Sequence, residues 1–167
     1  MDLTPLYRSL VLTLAGNSLV ARAAAKAGMR LGASRFVAGE SLDQGLDVAR
    51  DLNRRSILVT LDHLGEDVAT EPVAREMGEA YLALLDGIFH SGVNANVSLK
   101  LTQMGLAFDP RLALEIVQAI AERARARQNF VRIDMEASPY VDETLGIYFA
   151  LRKMGYDNVG TVLQSYL

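Results

Sequence analysis

The 167-residue chain contains no cysteine and no tryptophan, and only two histidines, His63 and His90. The absence of cysteine excludes disulfides, thiolate metal sites, iron–sulfur clusters and cysteine nucleophiles, and it fits a reducing compartment such as the cytoplasm. The two histidines do not have the spacing of metal ligands, so we expect no metal centre. Any redox chemistry must therefore come from a bound cofactor.

The chain also lacks a strong charge of either sign. It has 17 Lys and Arg residues against 20 Asp and Glu residues, a net charge of −3, and the basic residues are dispersed. This pattern is not that of a nucleic-acid-binding protein. Half of the residues are hydrophobic, which is enough apolar surface for a folded domain and excludes disorder.

Acidic residues are missing from residues 3–35, where five basic residues interrupt an alanine-rich apolar segment. The composition resembles that of a transit peptide or of a helix on a membrane surface, but the apolar run is too short to span a bilayer. We interpret residues 1–40 as a helical lead-in packed on the domain, with peripheral contact at the inner face of the membrane as the alternative.

From Ser41 onward, helix signals and strand signals alternate along the chain. Helices are predicted where a capping residue is followed by Gln or Pro, at Ser41 with Gln44, Thr70 with Pro72, Asp109 with Pro110, and Ser138 with Pro139. Apolar, β-branched segments predict strands at residues 57–64, 96–102, 130–137 and 159–166. This alternation predicts the α/β class with a parallel sheet.

Polar residues occupy one face of each predicted strand, while the opposite faces are apolar. The polar faces are formed by Thr60 and Asp62, by Ser98, Lys100 and Thr102, and by Arg132, Asp134 and Glu136. A doubly wound sheet would be apolar on both faces, whereas a barrel can have polar groups inside. We therefore predict a parallel (βα) barrel of the TIM type. Because a complete barrel needs about 250 residues, residues 41–167 are interpreted as its first four βα units.

Lys100 and Asp134 are the main candidates for chemistry. They occupy matching depths on successive strands, so a cation and a carboxylate would lie within reach of each other and of a ligand. The alternative is an internal salt bridge with no chemical role. Further charges on the same face, from Asp62, Arg132 and Glu136, favour a functional site, because a purely structural core seldom contains so many ionisable groups.

Four segments carry a resemblance to a known family. TLDHLGE (60–66), VSLKLTQMGL (97–106), RIDME (132–136) and VLQSYL (162–167) are similar, in this order, to strands of the short, monofunctional bacterial form of flavin-dependent proline dehydrogenase. The similarity extends over nearly the whole chain.

The resemblance implies a (βα)8 barrel that binds FAD, oxidises L-proline to pyrroline-5-carboxylate and passes electrons to a membrane quinone. It implies that Lys100 contacts the substrate carboxylate and the flavin, that Asp134 is the active-site aspartate, and that Met135 and Gln164 contact FAD. Glu66 resembles the acidic gate residue of the family. The substrate-clamping arginines of the family would lie after Leu167, so we do not expect residues 1–167 alone to be active.

Two other interpretations stay open at this point. A lysine inside a barrel is also the arrangement of Schiff-base aldolases, in which a neutral amine attacks a carbonyl. Alternatively, the chain is a non-catalytic barrel fragment whose unpaired sheet edges self-associate into a homo-oligomer.

Overall fold

The structure, a computed structural model, describes residues 37–65 and 68–165. The chain divides into two compact units, Met1–Gln44 and Gly45–Leu167. Most of the lead-in predicted over residues 1–40 lies outside the described residues, and so does the segment on which we based the alternative of membrane contact. Among the helices of the described ranges, none is long and apolar enough to cross a membrane.

Helices and strands alternate along the described chain. The helices are α1 (Leu42–Arg54), α2 (Glu71–Ser91), α3 (Pro110–Ala126) and α4 (Val141–Lys153). The strands are β1 (Val59–Asp62), β2 (Ala95–Leu99), β3 (Val131–Ile133) and β4 (Val159–Thr161). Two short 3-10 turns, Leu101–Met104 and Ser138–Tyr140, follow β2 and precede α4.

The four strands form one parallel sheet in the order β1-β2-β3-β4. In the register, Asp62 pairs with Ser98 and Ser98 pairs with Arg132. These residues lie on the polar face that the sequence predicts. The opposite face is the packed one, where Val97, Leu99, Val131 and Ile133 are fully buried. Sequential order, parallel pairing and one polar face confirm the predicted architecture of consecutive βα units.

Local signals explain several of the observed helix ends. The Asp109 carboxylate accepts hydrogen bonds from the amides of Arg111 and Leu112, at 2.9 and 3.1 Å, and Pro110 occupies the first helical position. Helix α2 ends at Gly92, whose φ of 68° is the left-handed conformation that glycine adopts without strain. Helix α4 begins only at Val141, because Ser138–Tyr140 forms a 3-10 turn rather than the first helical turn.

The predicted strands are longer than the observed ones. β2 ends at Leu99 instead of Thr102, because the Lys100 amide turns to the side chain of Gln103, which starts a 3-10 turn. β3 ends at Ile133 instead of Ala137, and β4 ends at Thr161. Beyond these points the sequence is apolar enough to resemble a strand, but the segments form the loops at the carboxyl end of the sheet.

A close approach between α2 and α3 gives a first testable prediction. A Cβ at Gly78 would lie 2.7 Å from Cγ2 of Ile116, a methyl group on a stiff β-branched side chain. We expect Gly78→Ala to lower the free energy of unfolding by about 1–3 kcal/mol, because the helices must move apart. Urea denaturation measures this change.

Gly146 provides the matched control, since it also lies inside a helix, α4, but a Cβ there would meet no atom within 4 Å. Gly146→Ala should stabilise the protein by about 0.5–1 kcal/mol through helix propensity alone. Equal effects of the two substitutions would contradict the close packing of α2 on α3.

Candidate functional site

Charged side chains gather where β1, β2 and β3 end. Asp62 is the last residue of β1, Lys100 directly follows β2 and Asp134 directly follows β3. Leu99 pairs with Ile133, so Lys100 and Asp134, which follow them, come directly after the last paired residues of the two strands. The Asp134 amide still donates to the Leu99 carbonyl at 2.9 Å. The register thus brings the candidate residues to the same edge of the sheet.

The structure gives Lys100 an ion partner at the end of β1. Lys100 Nζ lies 3.1 Å from Oδ2 of Asp62, and the two side chains are 23% and 30% exposed. The Asp134 carboxylate accepts a hydrogen bond of 2.6 Å from Ser98 Oγ. The pairing of Lys100 with Asp134 stays a prediction, whereas Asp62 is a direct contact of the ammonium group.

Behind Asp62 lies Tyr81, a fully buried residue of α2. Its hydroxyl lies 2.8 Å from Oδ1 of Asp62, 2.9 Å from the Ser98 carbonyl and 3.2 Å from Oε1 of Gln103. It also accepts a hydrogen bond of 3.2 Å from the His63 amide. Burial and the nearby Asp62 carboxylate raise the pKa of Tyr81 well above its ordinary value of 10.0, so the phenol stays neutral.

Gln103 is the second fully buried polar residue of this network. Its Nε2 donates to the carbonyls of His63 and Gly65, at 2.7 and 2.5 Å, and its Oε1 accepts from the Lys100 amide at 3.2 Å. One side chain therefore joins the segment after β1 to the residue that follows β2. This arrangement fixes the backbone of Lys100.

A cavity of about 350 Å³ borders the site on the side of β3. Its lining includes Lys100, Thr102, Met135, Glu136 and Tyr140. The Glu136 carboxylate accepts two hydrogen bonds from Thr102, one from the amide at 3.0 Å and one from the hydroxyl. The cavity therefore has an ammonium group, a fixed carboxylate and apolar side chains in its wall, which suits a ligand with both polar and apolar parts.

The remaining predicted site residues divide into two groups. Gln164 follows β4, and its Nε2 lies 3.4 Å from the Met135 carbonyl, so the two residues assigned to cofactor binding contact each other. Glu66, the predicted gate residue, lies outside the described residues. Within residues 37–65 and 68–165, no group of three or more His, Asp or Glu side chains is arranged to hold a metal ion.

Tyr81 and Gln103 are site residues that the sequence patterns did not indicate. Tyr81 lies in the apolar stripe of α2, in line with Ala74, Leu85 and Ile88, a position that is typical of a core residue. The available signal was its hydroxyl, since a buried tyrosine usually needs a partner for its polar tip. Gln103 carries a similar signal. Its side-chain amide lies within a buried run, where both its oxygen and its nitrogen need hydrogen-bond partners.

The neutral state of Tyr81 gives a second testable prediction. Its pKa is raised in the folded state, so its contribution to stability is complete below pH 10, the ordinary value, and is lost as the pH rises further. Above pH 10 we expect the free energy of unfolding to fall by up to about 1.4 kcal/mol per pH unit from this residue alone. Denaturation of the wild type and of Tyr81→Phe between pH 8 and 11 should show a steeper loss in the wild type, and parallel curves would contradict the assignment.

Four parallel strands connected by helices, with charged residues at their carboxyl ends, define the class of parallel (βα)-barrel proteins. The particular family follows from comparison with known proteins. The family model for proline dehydrogenase matches residues 46–167, and the chain belongs to this family.

Curated relatives agree with this assignment. The chain is 36% identical over 162 residues to proline dehydrogenase 1 of Bacillus subtilis strain 168, and 35% identical over 166 residues to the proline dehydrogenase of Deinococcus radiodurans. Each match covers 97% of this chain and 53% of the relative. The chain thus spans about half the length of the curated relatives it matches.

Solved structures show the same fold at lower identity. Proline utilization A from Bdellovibrio bacteriovorus, inactivated by N-propargylglycine, matches with a TM-score of 0.74 and 20% identity, over 87% of this chain and 18% of that chain. Proline utilization A from Bradyrhizobium japonicum matches with a TM-score of 0.61 and 22% identity, over 77% and 15% of the two chains.

Proposed function

We propose that this chain contributes part of the active site of an FAD-dependent enzyme that oxidises L-proline to pyrroline-5-carboxylate. Family membership supports the activity, and one structural observation supports the site. The Lys100 ammonium group lies at the carboxyl ends of the strands, paired with Asp62, in the wall of a cavity. This is the end of a parallel barrel at which active sites form.

Lys100 is proposed to bind the carboxylate of proline. An ammonium group held near the cavity attracts an anionic ligand and fixes its orientation, which places the reacting carbon of a small substrate at a constant distance from the cofactor. Asp62 stabilises the charged form of Lys100. Asp134, whose carboxylate accepts the hydrogen bond from Ser98, is proposed to hold Lys100 and neighbouring donors in place.

The lining fits a flavin by the chemistry of its groups. Lys100 would offer a donor for a carbonyl oxygen of a flavin ring, and Met135 and Tyr140 would offer apolar contact. Gln164 contacts the Met135 carbonyl and is proposed to bind the flavin from beside this lining. When bound, the flavin accepts the two electrons and two protons that proline loses as its C–N bond becomes C=N. The residues of this chain bind and orient the reactants, and they keep the charges of the site in fixed positions.

The electron acceptor is proposed to be a quinone, as the family resemblance implies. A lipid-soluble acceptor would bring the protein to the membrane surface as a peripheral protein. Anaerobic turnover of proline with a short-chain quinone tests this part of the proposal separately from flavin reduction.

An absorbance spectrum of the purified full-length protein tests the function most directly. We expect flavin bands that proline bleaches in the absence of oxygen. The competing Schiff-base mechanism needs a neutral lysine in apolar surroundings, whereas Lys100 contacts a carboxylate. A colourless protein, in which borohydride and a carbonyl compound trap an adduct on Lys100, would overturn the proposal.

A further inference from the structure

The two oxygens of the Asp62 carboxylate have different partners. Oδ1 lies 2.8 Å from the Tyr81 hydroxyl, and Oδ2 lies 3.1 Å from Lys100 Nζ. The carboxylate is therefore held from behind by α2 while it faces the ammonium group after β2. Tyr81 has one hydroxyl proton for three acceptors, and the charged acceptor at the shortest distance, Asp62, forms the strongest bond.

We propose that Tyr81 is a positioning residue for Lys100, acting through Asp62. Its hydroxyl fixes the carboxylate in the orientation that binds the ammonium group, so the position and charge of the Lys100 amine depend on a residue that does not touch the cavity. This inference rests on the proposed role of Lys100 in binding substrate.

The surroundings of Tyr81 support a role beyond packing. A phenylalanine would fill the same volume, whereas the hydroxyl of Tyr81 must be desolvated, which is costly unless the bonds it forms compensate. Those bonds lead to the site: to Asp62, to the Ser98 carbonyl, and from the amide of His63 after β1. Ser98 in turn binds Asp134 through its side chain.

Gln103 completes the arrangement from the other side. Its Oε1 faces the Tyr81 hydroxyl at 3.2 Å and also accepts from the Lys100 amide. This buried pair therefore acts on both ends of Lys100. Tyr81 acts on the ammonium group through Asp62, and Gln103 binds the backbone amide directly. Both side chains are fully buried, and satisfied hydrogen bonds between buried groups keep such a pair in place.

The test measures the chemical reactivity of the Lys100 amine. The sequence contains three lysines, Lys26, Lys100 and Lys153, so trace acetylation followed by peptide mass spectrometry reports each one, and Lys153 serves as the internal reference. Only the neutral amine reacts. A less well-held carboxylate stabilises the ammonium form less, so Tyr81→Phe in the full-length protein should raise acetylation of Lys100 relative to Lys153 by about two- to fivefold, and Asp62→Asn by about tenfold.

Tyr156→Phe is the matched control, because Tyr156 is also buried but contacts Gln118 on α3, away from the site. We expect it to leave the Lys100 rate unchanged. The proposal is overturned if folded Tyr81→Phe protein acetylates Lys100 at the wild-type rate, or if Asp62→Asn has no effect. Should the wild type fail to oxidise proline while Tyr81→Phe still changes the Lys100 rate, the proposed function fails and the positioning of the amine stands.

Discussion

Replacing Lys100 by Met in the full-length protein should lower proline turnover by two orders of magnitude or more while the protein stays folded. The substitution keeps the length and apolar character of the side chain and removes the charge that is proposed to bind the substrate carboxylate. Loss of one charge-assisted interaction that orients the substrate accounts for an effect of about 100-fold, or about 2.7 kcal/mol. Steady-state kinetics with proline measures the loss.

Stability should respond much less to the same change. Lys100 and Asp62 both reach solvent, with side chains 23% and 30% exposed, so loss of the pair leaves a hydrated carboxylate. Such pairs contribute about 1 kcal/mol or less to the free energy of unfolding. If Lys100 instead neutralised a buried carboxylate for structural reasons only, its loss would cost about 3–5 kcal/mol.

Two further variants make the Lys100 experiment decisive. Lys153→Met removes a lysine from the last turn of α4 and should leave turnover unchanged. Asp134→Asn should reduce turnover, although the side-chain amide oxygen can still accept the hydrogen bond from Ser98. Near-normal turnover by well-folded Lys100→Met protein would end the catalytic assignment, and so would a collapse of stability that fully explains the lost activity.

The spacing of apolar and polar residues was enough to predict the faces of the strands. The alternation of apolar and polar residues in β1 to β3 indicated one buried and one polar face, and the register of Asp62, Ser98 and Arg132 confirms it. The start signal of Asp109 with Pro110 was equally reliable, because a cap is a local interaction between residues close in sequence. Ser138 with Pro139 was a weaker signal, since it starts a 3-10 turn before α4.

Strand ends and side-chain partners could not be predicted in the same way. VSLKLT continues to alternate through Thr102, yet the chain turns at Lys100, because Gln103 binds a backbone amide three residues before it and two carbonyls after β1. Those carbonyls are about forty residues away in sequence. The contact of Lys100 with Asp62 was not predicted for a related reason, since register identifies neighbours along the strands but does not decide which oxygen a long side chain reaches.

Replacing Gln103 by Leu should destabilise the protein by about 2–4 kcal/mol, the largest loss of stability that we expect from a polar substitution in this site. Leucine fills a similar volume but leaves the carbonyls of His63 and Gly65 and the Lys100 amide without their side-chain partner. Each polar group that stays buried without a hydrogen bond costs about 1–3 kcal/mol, and partial access to water reduces the sum. Urea denaturation of the full-length protein measures the change.

Gln118→Leu is the matched control, because Gln118 is a half-buried glutamine on α3 whose amide has only a 3.5 Å contact with the Tyr156 hydroxyl. Its loss should change the free energy of unfolding by about 0.5 kcal/mol or less. Gln103→Glu separates shape from hydrogen bonding, since a carboxylate of the same size cannot donate to the two carbonyls and is repelled by them. Two results would contradict this role: equal stability of Gln103→Leu and Gln118→Leu, or wild-type stability of Gln103→Glu at neutral pH. Either would mean that Gln103 does not hold the ends of β1 and β2 together, and that the buried pair Tyr81 and Gln103 does not support Lys100.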